Sequence, residues 1–163
     1  MTSGQPGVLA LSELVLGQLS PAEVPLVQAV GPRLLSARRR WWQRRPRDGA
    51  LGIGVDEFAW TVAVLPVANH VVTWLFDQAK EFAGEELGKG ARRALDWLSG
   101  RDAGAAADHA ESAPHLPVRQ AIELWWVTYR NGLAVGLDEQ KARLLANATA
   151  GPFGAPADPA DPG

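Results

Sequence analysis

The chain reads as one all-α domain: a long kinked central helix, N-terminal helices and a C-terminal helical hairpin packed around it, and a disordered tail. Three observations predict this. Apolar residues recur three and four apart, and clean two-residue alternation is scarce. Alanine and leucine, both strong helix formers, dominate the composition. Helix start and stop residues punctuate the apolar runs. With 163 residues, 47% of them hydrophobic and 21% charged, the chain has enough apolar material for a single core.

The elements follow in order. Val8 to Leu19 forms a short amphipathic helix with Leu11, Leu14, Val15 and Leu19 near one face. Ser20-Pro21-Ala22-Glu23 is a capping box, with serine at the N-cap, proline at the first helical position and glutamate at the third. The helix it starts runs to about Ala37, and Pro25 and Gly31-Pro32 predict a kink or break in it. Residues 36–48, SARRRWWQRRPRD, pack six arginines and a tryptophan pair into thirteen positions. A glycine-rich turn region follows, and Asp56 caps the central helix.

That helix is predicted to continue to about Leu98 with its kink at Pro66. Phe58 to Phe76 contains no Asp, Glu, Lys or Arg over nineteen positions. From Asp77 the pattern turns amphipathic, with Phe76, Ala79, Ala83, Leu87, Ala91, Ala94 and Leu98 on one stripe and Glu85 placed to pair with Lys89. Gly84 and Gly88 predict a close helix crossing. Residues 99–117 form a flexible, small-residue linker. Helix resumes at Val118, with Val118, Ile122, Trp125 and Tyr129 on one face. Gly136 stops it, Asp138 caps the next, and residues 139–150 complete a hairpin. Residues 1–150 are thus one domain, and 151–163, with four prolines, a disordered tail.

Composition removes several function classes. Without cysteine there is no disulfide, thiolate nucleophile or zinc–thiolate site. The first twenty residues lack a basic n-region, and Glu13 interrupts their apolar run, so they make a poor signal peptide and the cytoplasm is the expected location. Thirteen arginines against three lysines, with abundant Ala, Gly and Pro, suit a GC-rich bacterial genome. The sequence contains no G-x-S-x-G, Walker A, H-E-x-x-H or Rossmann signature, so neither enzymatic activity nor a cofactor is expected.

Charge is uneven despite a net of −2. Residues 1–54 carry +4, from seven arginines against Glu13, Glu23 and Asp48, and residues 55–163 carry −6. The set Arg38, Arg39, Arg40, Trp41, Trp42, Arg44, Arg45 and Arg47 therefore offers an anionic-surface contact, whether protein, lipid or nucleic acid. Its bland reading is a solvated connector whose tryptophans pack on the core. Nucleic acid ranks last because the whole domain is acidic.

The charge-free run is about long enough to cross a bilayer, and Trp60 and Trp74 flank it. Pro66, Asn69 and His70 near its middle argue against lipid, and favour a helix covered by protein, either its own fold or a partner. Phe58, Trp60, Val64, Val67, Val71, Trp74 and Phe82 are the residues expected to meet such a partner, since aromatic side chains supply rigid contact area. His70 has no second ligand one turn away and reads as structural. Asp108, His109, Glu111 and His115 are metal-ligand types within the alanine-rich linker and read as a solvated loop. The hairpin has helix-turn-helix spacing, but two acidic residues open its second helix and would face phosphate badly.

Three segments, SPAEVPLVQAV, LGIGVDEFAWTVAVLPVANHVVTWL and GLDEQKARLLANA, resemble in this order small helical actinobacterial proteins associated with caspase-like, trypsin-like and NTPase conflict systems, of the CATRA-associated type. The resemblance covers about two-thirds of the chain and transfers no catalytic residue. It implies a non-enzymatic adaptor or effector in a bacterial defence or signalling assembly. Its partner would be a larger protein encoded nearby or a second copy of the chain. A membrane-acting effector built on residues 58–76 is the alternative, and nucleic-acid binding through the arginine–tryptophan segment the third.

Overall fold

The computed structural model describes residues 5–36, 59–100 and 112–160, whose regular structure is helical, with no strand among them. Among the described residues six α-helices follow in order: α1 (Gln5–Leu19), α2 (Val24–Ser36), α3 (Ala59–Glu81), α4 (Glu86–Ser99), α5 (Val118–Ala134) and α6 (Glu139–Ala150). A 3-10 turn at Pro21–Glu23 leads into α2, and another at Gly151–Phe153 follows α6.

The centre of the bundle is shared by the long helix α3, which packs against α1, α2, α4 and α5, and by α1. Helix α1 packs against α2, α3, α4 and α6. Val8, Leu11, Ser12, Glu13, Val15 and Leu16 are all buried, which covers nearly every side of the helix. A helix that is apolar all round belongs in an interior, and Glu13 is the only charged residue α1 carries. The one-faced amphipathic reading of this segment is therefore too narrow.

Neither proline inside a helix interrupts it. α2 runs unbroken through Pro32 and α3 through Pro66. The interruption falls instead at 82–85, where the sequence predicts continuous helix. Gly84 takes φ +91, a left-handed conformation that glycine adopts without a Cβ penalty. Glu85 N then donates to Phe82 O at 2.9 Å, and α4 folds back to pack on α3. Gly88 sits so close to this turn that a Cβ there would lie 2.0 Å from Phe82 O. The two glycines make a reversal, not a helix crossing. Glu85 now precedes α4 in extended conformation, so Lys89 lies 3.9 Å from Glu86 in place of the expected Glu85.

The capping box is also rearranged. Ser20 makes no side-chain cap bond. The Glu23 carboxylate, 7% exposed, reaches Thr61 in the first turn of α3, accepting from its backbone N at 2.7 Å and its Oγ1 at 2.5 Å. Glu23 thus satisfies a free N–H at the start of a different helix, and its negative charge meets the positive end of the α3 dipole.

The α5–α6 hairpin forms as the sequence predicts. Gly136 takes φ +99, and Asp138 Oδ1 accepts from Lys141 N at 2.9 Å. Gly132 lets α6 approach closely, since a Cβ there would lie 3.3 Å from Ala142 Cβ. Residues 151–160 depart from the expected disorder. Phe153 is fully buried, edge-on to Trp97 with centroids 5.9 Å apart. Phe153 O accepts from Leu116 N at 3.0 Å, which also ties the end of the predicted linker, with Ala113 and Leu116 buried, to the bundle.

Candidate interaction surface

The structure places the residues expected to meet a partner largely inside the fold. Val64, Val67 and Val71 are at most 1% exposed and belong to the core. Trp60 and Trp74 are half-buried and pack against that core, and Phe82 is half-buried in the α3–α4 turn. The covering of the charge-free run is therefore the chain's own α1 and its neighbours. Phe58 lies outside the described residues, as do Arg38, Arg39, Arg40, Trp41, Trp42, Arg44, Arg45 and Arg47. Among the described residues no helix is long and apolar enough to cross a membrane. No group of three or more metal-ligand side chains comes together among them either. Asp108, His109 and Glu111 lie outside them, His115 is exposed beside Gly154, and His70 is exposed on α3.

Buried polar side chains among the described residues serve the scaffold. Ser12 Oγ and Thr128 Oγ1 donate to the carbonyls four residues back, at 2.7 and 2.8 Å. Gln120, fully buried at the start of α5, donates to Leu87 O at 3.0 Å and Gln78 Oε1 at 3.3 Å, joining α5 to α4 and α3. Its Oε1 accepts no hydrogen bond from the described residues. Gly90 comes close to that atom, since a Cβ at Gly90 would lie 3.1 Å from it. The described ion pairs are exposed and span 3.6 to 4.0 Å, so they contribute little to stability.

An uncovered apolar surface lies elsewhere, on α5. Val118, Ile122, Trp126, Tyr129 and Leu133 recur at spacings of four, four, three and four, which places them on one helical stripe. Val118 is 68% exposed and Leu133 38%, and the three between them are half-buried. The opposite face of α5, with Gln120, Ala121, Leu124, Trp125 and Thr128, packs into the bundle.

An aromatic cluster stiffens the stripe. Trp125 stacks on Tyr129 with centroids 5.2 Å apart, while Trp126 meets both edge-on at 5.0 and 5.6 Å. Trp125 Nε1 donates to Asn147 Oδ1 on α6 at 2.6 Å, which pins the cluster to its neighbour. Arg130 lies over the Trp126 ring, 5.9 Å from its centroid. The buried Trp126 Nε1 has no hydrogen-bond partner among the described residues.

The sequence carried the signal for this stripe, but the tryptophan doublet divides it. Adjacent residues on a helix point about 100° apart. Trp125 therefore turns inward and Trp126 outward, and periodicity alone assigned the face to Trp125. Comparison of the chain with family models, curated proteins and solved structures finds no match in any of the three.

Proposed function

We propose that the protein is a non-enzymatic adaptor of a bacterial conflict or signalling system, and that it docks through the outer face of α5. The observation that carries this reading is the apolar stripe Val118–Ile122–Trp126–Tyr129–Leu133, exposed at Val118 and Leu133 and half-buried between them, beside a core that buries Val64, Val67 and Val71. Rigid aromatic side chains held by packing lose little entropy on association, and tryptophan and tyrosine dominate the energetics of interfaces. The setting is carried by the resemblance of the three sequence segments to actinobacterial conflict-system proteins. The partner is the product of an adjacent gene, as that setting implies.

The test is binding of purified products of the flanking genes to the wild-type chain and to Leu133→Lys and Val118→Asp. Each substitution suits the helix end it occupies, a cation at the C-terminus and an anion at the N-terminus, so helicity by circular dichroism should persist. At least one product should bind, and either variant should weaken it about tenfold or more. Binding unaffected by both variants, or no binding by any flanking product, overturns the reading.

A further inference from the structure

We infer that α5 also pairs with α5 of a second copy of this chain, antiparallel, about a twofold axis at Trp126. This rests on reading the α5 face as an interaction surface and deepens it by naming an occupant.

The charges beside the stripe select this arrangement. Glu123 and Arg130 are seven residues apart, two turns, and so lie on the same flank of the helix. A twofold axis perpendicular to two antiparallel helices sets each flank against the same flank of the other copy. With the axis at Trp126, Glu123 comes within one residue, about 1.5 Å along the helix, of Arg130 of the second copy, and Arg130 within one of its Glu123. With the same axis Val118 comes within one residue of the second copy's Leu133, and Ile122 within one of its Tyr129. Parallel pairing in register would instead set this flank against the opposite one of the second copy, which carries Ala121, Trp125 and Thr128 and offers Glu123 and Arg130 no opposite charge. A closed twofold contact that uses one surface on both copies is the commonest form of self-association.

Neither charged group is buried. Arg130 is exposed and lies over its own Trp126 ring, and the Glu123 side chain, 39% exposed, pairs with Arg119 at 3.6 Å. That pair has the arginine N-terminal to the glutamate, the less favourable order along a helix. The stripe is one helix face wide and about 22 Å long from residue 118 to 133. Such a contact falls below the roughly 1,200 Å² of a standard stable interface, so the dimer is weak and concentration-dependent.

The test is sedimentation equilibrium of the full chain from about 1 to about 300 µM, the range in which a small interface saturates. The wild type should move from monomer toward dimer mass. Glu123→Arg and Arg130→Glu should each weaken association about tenfold, and the two combined should recover to within about threefold of wild type. Leu133→Lys should hold the chain monomeric with unchanged helicity. A wild type that stays monomeric to 300 µM, or a dimer indifferent to the charge changes, overturns the inference. The two readings fail separately. A monomeric chain that still binds a flanking gene product through Leu133 removes the second copy and keeps the adaptor. A charge-sensitive dimer that binds no flanking product keeps the second copy and removes the adaptor.

Discussion

The carboxylate of Glu23 holds both the backbone N–H and the hydroxyl of Thr61, thirty-eight positions away in the chain. Residues 37–58 lie between the two helices this contact joins, and all of them fall outside the described residues. Glu23 therefore fixes where α3 begins relative to α2, whatever the intervening chain does. Removing the carboxylate leaves two donors without partners in a buried place, and an unmet buried donor costs about 1–3 kcal/mol. Glu23→Ala should lower stability by about 2–3 kcal/mol, and Thr61→Val, which keeps the backbone bond, by about 1. Urea denaturation of both and of the double variant measures the coupling. Strict additivity would show that the two residues do not act together.

The α3–α4 reversal yields a contrast among three glycines. Gly88→Ala places a Cβ on the Phe82 carbonyl, which backbone cannot evade, and should cost about 3 kcal/mol. Gly84→Ala meets nothing within 4 Å but keeps φ +91, and should cost about 1–2 kcal/mol. Gly17→Ala, helical, exposed and unobstructed, should stabilise by about 0.5 kcal/mol. Thermal melts give the order directly, at about 2–4 °C per kcal/mol for a chain of this size. A Gly88→Ala protein as stable as wild type would show that the turn does not form as described.

Phe153 makes the proline-rich tail part of the core. Phe153→Ala should cost about 3–5 kcal/mol, as for other fully buried aromatics. A chain ending at Ala150 should be destabilised at least as much, because it also loses the bond from Leu116 N to Phe153 O. Denaturant midpoints within error of wild type for both would mean that the tail is dispensable.

Asn147 joins two parts of the structure through one atom. Its Oδ1 accepts from Trp125 Nε1 at 2.6 Å and from Asp158 N at 3.2 Å. Asn147→Ala should cost about 1–3 kcal/mol, shift the tryptophan fluorescence, and speed amide exchange at Asp158. Slow exchange at Asp158 in the variant would contradict the link.

What the sequence determined by itself was whatever acts within one or two turns. The α5–α6 hairpin was legible because Gly136 and Asp138 work on the next few residues, through a left-handed φ and a bond to Lys141 N. The all-helical class was legible because three- and four-residue spacing is a property of one helix. Tertiary structure decided the rest, because a stripe specifies that a face is apolar and not what covers it. Packing set α1 beside the long α3 at the centre, chose Thr61 over Ser20 as the partner of the Glu23 carboxylate, and buried Val64, Val67 and Val71 under the chain's own helices. It also turned Trp125 inward and Trp126 outward, a choice between neighbours that only the position of α6 could make.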